Sequence, residues 1–217
     1  VWDAIVGFFT DEPQISRDGI SWSPAVVEEY ERRFGDSLIE VLPALVYETP
    51  GYRRVRYRFW KTVTDLFSDR FLRPIYEWCE RYGKKLTGHL VTEEHFLDQI
   101  VSNGSVMPHY RYFHLPGMDW LGRGIGPVNT PVQVASVAAQ LGGNEVLSET
   151  FALCGWHTSF EDLKKLFQWQ LVHGVTRLCQ HLQSYSLRGL RKRDYPPSLF
   201  VHQPWWDRYR RFNERVS

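Results

Sequence analysis

"IVGFFTDEP", residues 5 to 13, decides how the rest of the chain is read. A short apolar run ends abruptly on two adjacent carboxylates and a proline, Asp11, Glu12 and Pro13. A run of this length, bounded by a turn signal, has the character of a strand rather than a helix. Strands that end in this way hand their last side chains either to solvent or to a site. The ends of the other strands have to be found before the two can be told apart.

Reading on from Pro13, short apolar runs alternate with long helical patterns, the rhythm of β/α units around a parallel sheet. Residues 24 to 48 begin a helix as "SPAVVEEYERRFG", with Pro24 suited to a first turn. A second helical stretch over 55 to 83 closes on Gly83 at a typical position past the helix end. Then come a strand "KLTGHLV" (85–91), a helix "EEHFLDQIVSNG" (93–104), a strand near "HYRYFHL" (109–115) and a loop "PGMDWLGRGIGPVNTP" (116–131). The second half runs helix "VQVASVAAQLGG", strand "NEVLSETF", helix "SFEDLKKLFQWQLVHG", strand "VTRLCQHLQSY", a long loop and a final helix from Trp205. Each of the five strands is followed by a helix, and no antiparallel hairpin signal interrupts them.

Five consecutive β/α units fit an open doubly wound sheet or part of a (β/α)8 barrel. The Gly-rich fingerprint of a dinucleotide-binding sheet is missing, because "GRGIG" at 122–126 neither follows a strand directly nor opens a helix in register. The expected fold class is therefore α/β, the later part of a (β/α)8 TIM barrel, with 1–217 forming a single domain. A chain that opens almost inside a strand, without a start Met or a signal-type apolar region, reads as cut from something longer. The first barrel strands are then expected in the remainder of its own polypeptide, and localisation is left open.

Composition excludes several classes of partner. Twenty-six Lys and Arg against 25 Asp and Glu leave a net charge of +1, too balanced to gather nucleic acid or an anionic membrane surface. The basic run "RGLRKRD" at 188–194 reads as a solvated loop. Cys79, Cys154 and Cys179 are far apart and odd in number, which indicates neither a disulfide framework nor a zinc site.

Barrel chemistry sits at the strand ends. Here those ends carry Asp11 and Glu12; His89 with Glu93; His109, Tyr110, Arg111 and His114; Glu149; and His181 with Gln183 and Tyr185. Strands that merely turn toward water end on Gly, Asn or Ser, so five polar ends together read as a lined pocket. Taken singly, each residue also has a bland reading: a lone terminal Glu caps a helix, and a lone His packs in a core. Two carboxylates on separate strands are what glycosidic cleavage needs, one protonating the leaving oxygen and the other serving as base or nucleophile across the ring. Glu12 and Glu149 are the natural pair. Aromatic platforms for a sugar face are sought in the loops, at Trp120, Trp156, Tyr185, Trp205 and Trp206, with Trp156 first; Trp60, Trp78 and Trp169 belong to helix packing. His89, Arg111 and His181 are the expected donors to sugar hydroxyls.

"TDEP" resembles the Asn-Glu-Pro motif after the fourth barrel strand of clan A glycoside hydrolases, with Asp11 in place of the Asn, and "EVLSE" then falls on the seventh strand. "GKKLTGHLVTEE", "LPGMDWL", "VASVAAQLGGNEVLSETFALCGW" and "RKRDYPPSLFVHQPWW" extend the likeness over nearly the whole chain. Together they resemble the catalytic barrel of bacterial α-L-rhamnosidases of glycoside hydrolase family 106 and their uncharacterised relatives. The resemblance implies calcium-assisted, inverting hydrolysis of terminal α-L-rhamnosides, with Glu12 as general acid and Glu149 as general base. It also implies that Asp11 contacts a sugar hydroxyl as an acceptor or binds a cation. A retaining β-glycosidase and a non-catalytic carbohydrate-binding barrel remain alternatives at this point.

Overall fold

The computed structural model describes all residues except Asn144, 191–194 and Ser217, so part of the basic run at 188–194 lies outside the described residues. The protein is mixed α/β. Its five strands follow one another in chain order, and every strand pair is parallel. A doubly wound sheet reverses its order at a switch point, and this order contains no reversal. By compactness the chain divides into two units, Val1–Pro116 and Gly117–Ser217, with the boundary inside the third strand.

The first unit holds β1 (Gly7–Thr10), α1 (Pro24–Phe34), α2 (Leu38–Val41), α3 (Pro43–Val46), α4 (Tyr52–Phe67), α5 (Arg73–Arg81), β2 (Lys85–Gly88), α6 (Phe96–Asn103), α7 (Met107–Tyr110) and the start of β3 (Leu115–Trp120). α1 begins where its sequence directs: the Ser23 side chain accepts the Val26 N–H and Pro24 fills the first turn. It ends on Gly35, in the left-handed conformation. The helix core is Val26, Tyr30, Leu38, Phe59 and Val63, and Arg33 bridges Glu29 and Asp65 across α1 and α4. Between α4 and α5 the helix widens through one π-helical stretch, Ser68–Leu72. β1 and β2 approach closely at Gly88, whose φ is +138° and whose missing Cβ would fall 2.0 Å from the Thr10 carbonyl oxygen. No other residue fits there.

The second unit holds the rest of β3, α8 (Asn129–Gln140), β4 (Leu147–Thr150), α9 (Phe160–Val172), β5 (Arg177–Gln180) and α10 (Trp206–Val216). α9 opens on a reciprocal capping box between Ser159 and Asp162. The helix side of its strands is buried: Met118, Trp120, Ser148 and Thr150 are inaccessible or nearly so. Trp120 packs on Trp169 of α9 at a centroid distance of 4.6 Å, and Gln170 donates to the Thr150 hydroxyl at 2.8 Å.

The third strand corrects the sequence reading. It runs over Leu115–Trp120, not 109–115, and His109 and Tyr110 belong to the short helix α7. "HYRYF" has strand-forming aromatics, but its side chains are drawn into buried bonds that suit a helical turn. The His109 Nε2–H donates to the Asn103 carbonyl at 2.8 Å, and its Nδ1 accepts from the Ser68 hydroxyl at 2.7 Å. The Tyr110 hydroxyl donates to Glu93 at 2.6 Å. Tertiary satisfaction has overridden local propensity.

Candidate functional site

In the first unit the helix-free side of the strands carries Phe9 and Thr87, which are register partners. Phe8 lies on the other side against Trp78 of α5, at 5.5 Å. Just past the strand ends the same alternation brings Asp11 beside His89, with Asp11 Oδ1 3.6 Å from His89 Nε2. Asp11 is exposed, whereas the His89 side chain is buried and meets the Phe9 ring edge-on at 5.5 Å. Glu12 is half-buried and has φ +47°, in the left-handed region that a residue with a Cβ avoids, immediately before Pro13. Among the described residues its carboxyl makes no hydrogen bond or ion pair, so backbone conformation alone aims it. Glu93 is buried, and its Oε1 accepts from the Leu90 N–H at 3.0 Å as well as from Tyr110.

Arg111 does not stand at a strand end. It precedes β3, is exposed, and lies over the Tyr112 ring with Asp69 3.8 Å away. The expectation that it donates to a sugar at the strand ends rested on the misplaced third strand. His109 and His114 return to structural roles for the same reason. Burial holds His109 well below its ordinary value, at about 4, against a smaller opposing effect of its bond to Asn103. His114 accepts the Leu86 N–H through Nδ1 and faces Glu80 through Nε2 at 2.7 Å.

In the second unit, strand register builds a row. Asp119 of β3, Glu149 of β4 and Cys179 of β5 are successive register partners. The flanking Met118, Trp120, Ser148 and Thr150 face the helices, so period-two alternation turns Asp119 and Glu149 to the opposite side. Glu149 is half-buried, and its Oε1 lies 3.9 Å from Nε2 of His181, which follows β5. The His181 backbone N–H is fixed by the Thr150 carbonyl at 2.8 Å. The Cys179 thiol is raised, first by desolvation and second by the Glu149 charge. After β4 the chain turns sharply: Phe151 and Leu153 have φ +77° and +58°.

Trp156 in that turn is 47% exposed, and Tyr185 is 94% exposed, so both rings are open to a ligand. Trp120 is not: it belongs to β3, faces α9, and donates its indole N–H to the Gly124 carbonyl at 3.0 Å. Trp205 packs on Phe160 and Tyr209 and lines a cavity of about 440 Å³ with Thr158, Leu163, Leu199 and Arg208. No member of the Asp119 row lines that cavity. In sequence "GMDWL" reads as loop, which hides the strand position of Asp119. Its signal was present in the apolar alternation of Met118 and Trp120 around it.

Against known proteins, the chain is similar to the solved structure of a rhamnosidase from Novosphingobium sp. PP1Y, with a TM-score of 0.69 at 20% identity over 90% of this chain. In fold, the chain is similar to part of a rhamnosidase. It spans 20% of that protein's length. No family model and no curated protein matches the sequence. At this identity the likeness concerns the fold. No described helix is long and apolar enough to cross a membrane.

Calcium takes six to eight oxygen ligands. Taken by itself, neither unit gathers three carboxylate, imidazole or thiolate side chains at metal-ligand spacing among its described residues. Asp11 Oδ1 in the first unit lies 3.6 Å from Nε2 of His89, a nitrogen rather than an oxygen donor.

Proposed function

We propose that this chain is the later part, about strands four to eight, of a (β/α)8 glycoside hydrolase barrel that removes terminal sugars, α-L-rhamnosides first. The parallel, sequentially ordered strands and the likeness to part of a rhamnosidase support the glycosidase class. The observation that carries the mechanism is Glu149: a carboxylate on the helix-free side of a regular strand, one residue before the strand end, within 3.9 Å of an imidazole. A base in that position is fixed by the sheet while remaining open to water.

In this reading Glu12 delivers a proton to the leaving oxygen and Glu149 removes one from the attacking water. His181 stands beside Glu149 as a donor to a sugar hydroxyl. Asp11, His89 and Glu93 shape the substrate side of the first unit, with Glu93 acting through Tyr110 and the Leu90 backbone. Trp156 and Tyr185 offer ring faces to the pyranose. The ligand is a carbohydrate, and the remainder of the polypeptide supplies the missing strands.

In the full-length protein, Glu12→Gln and Glu149→Gln should each lower hydrolysis of an unactivated α-L-rhamnoside by about 10² to 10⁴-fold while leaving folding intact, because an amide keeps size and hydrogen bonding but transfers no proton. A panel of nitrophenyl glycosides, with the anomer of the fresh product read by NMR, tests the reading. Sugar binding without turnover on any glycoside would replace it with a carbohydrate-binding barrel, and a retained anomer would replace it with a retaining glycosidase.

A further inference from the structure

Asp is among the residues least suited to a strand interior, and like charges on directly opposed positions of neighbouring strands destabilise a sheet. β3 and β4 nevertheless set Asp119 directly beside Glu149, on the side turned away from the helices. Neighbouring strands lie about 4.8 Å apart, so the two side chains leave the sheet side by side on the same surface, the Glu149 carboxyl one methylene further out. Departures of this kind from local preference are expected where a sequence serves a site.

The surroundings hold Asp119 in place. The Trp120 ring next to it is locked by Trp169 behind and by the Gly124 carbonyl in front. Gly126 accepts that ring so closely that a Cβ would come within 2.3 Å of it. The loops after β3 and β4 are tied by the Gly122 N–H to the Ala152 carbonyl at 2.7 Å. The end of β3 is thus fixed relative to the end of β4, which is what a binding group beside a catalytic one requires.

We propose that Asp119 binds substrate, accepting a hydrogen bond from a ring hydroxyl of the same sugar whose glycosidic bond Glu149 helps to break. The inference rests on the glycosidase reading. Sugar hydroxyls are donors, an ionised carboxylate is an acceptor with two oxygens, and O–H···O⁻ bonds are short and strong. Cys179, the register partner on the other side of Glu149, offers only a weak acceptor, so the hydroxyl is taken on the β3 side.

The test uses the full-length protein, aryl α-L-rhamnoside, and analogues from which each ring hydroxyl is removed in turn. Asp119→Ala should lower kcat/KM for the complete sugar by about 10- to 100-fold, the scale of a lost charged hydrogen bond. On the one analogue lacking the bound hydroxyl, the variant and the wild type should come within about twofold of each other. Asp119→Asn should give a kcat/KM between those of Asp119→Ala and wild type, with a melting temperature no lower than wild type because one of the two like charges is gone. Glu149→Gln, run alongside, should lose activity on every analogue alike. A uniform Asp119→Ala loss across all analogues, or no loss at all, overturns the role of Asp119 and leaves the glycosidase reading standing. A wild type that hydrolyses none of these sugars overturns both.

Discussion

The two units treat ionisable side chains in opposite ways. The first buries them: His89, Glu93, His109 and Tyr110 are each no more than 1% exposed, and each is engaged in bonds to neighbours or backbone. The second buries no His, Asp, Glu, Lys or Arg among its described residues, and fills its interior with Thr, Ser and Gln instead. Its ionisable groups, Asp119, Glu149, Cys179 and His181, stand in or just beyond the strands on the helix-free side. Polar residues near strand ends are therefore not equivalent. In the first unit most of them are buried, and in the second they stand at the sheet surface.

The candidate carboxylates differ in the same sense. Glu149 is positioned by regular strand register, and the strained residues, Phe151 and Leu153, come after it. Glu12 is itself the strained residue and is aimed by its own backbone. A carboxylate fixed between two strands and one carried on a tight turn are two ways of placing the same functional group.

Perturbing the strand contact in the first unit should have the largest effect on stability. Gly88→Ala would drive a Cβ into the Thr10 carbonyl at a φ that L residues avoid, and should cost at least about 3 kcal/mol, read as a lowered denaturation midpoint. A midpoint within experimental error of wild type would show that β1 and β2 can separate at no cost.

The next effect is acid sensitivity. His109 is held neutral in the fold, with its pKa near 4, while in the unfolded chain it is near 6.5. Between those values the unfolded state binds more protons, so stability is complete above about pH 6.5 and declines toward pH 4, by up to about 3 kcal/mol. His109→Gln should flatten that decline. An unchanged pH profile in the variant would assign the loss to other groups and weaken the contrast between the units.

The smallest effect concerns Glu12. Glycine tolerates its left-handed conformation, so Glu12→Gly should raise stability by up to about 1 kcal/mol while removing hydrolysis. A destabilised variant would mean that the Glu12 side chain supports the fold, and that its geometry is not held at a cost for function.

The sequence made the strands of the second half and the helix starts legible, because alternation, Ser159 with Asp162, and Pro24 after Ser23 are local signals. The third strand was not legible. In "HYRYFHL" the aromatics that form strands were also the ones needed for buried bonds to Ser68, Asn103 and Glu93, which lie 41, 6 and 17 residues away in the chain. No local pattern reports such partners. That error carried Arg111 into the expected site and kept Asp119 out of it. The strand-end positions of Glu12 and Glu149 were legible because each directly follows or lies within a run whose strand character was clear. The left-handed backbone of Glu12 had no sequence signal beyond the proline after it.

In the proposed mechanism Glu12 and Glu149 perform different halves of one hydrolysis. The most direct measurement compares rates for a nitrophenyl and an alkyl α-L-rhamnoside in the full-length Glu12→Gln and Glu149→Gln variants. A nitrophenolate departs without protonation, so the Glu12 variant should recover most of its activity on the nitrophenyl substrate, whereas the Glu149 variant should lose about 10² to 10⁴-fold on both. Equal losses in the two variants, independent of the leaving group, would contradict the assignment.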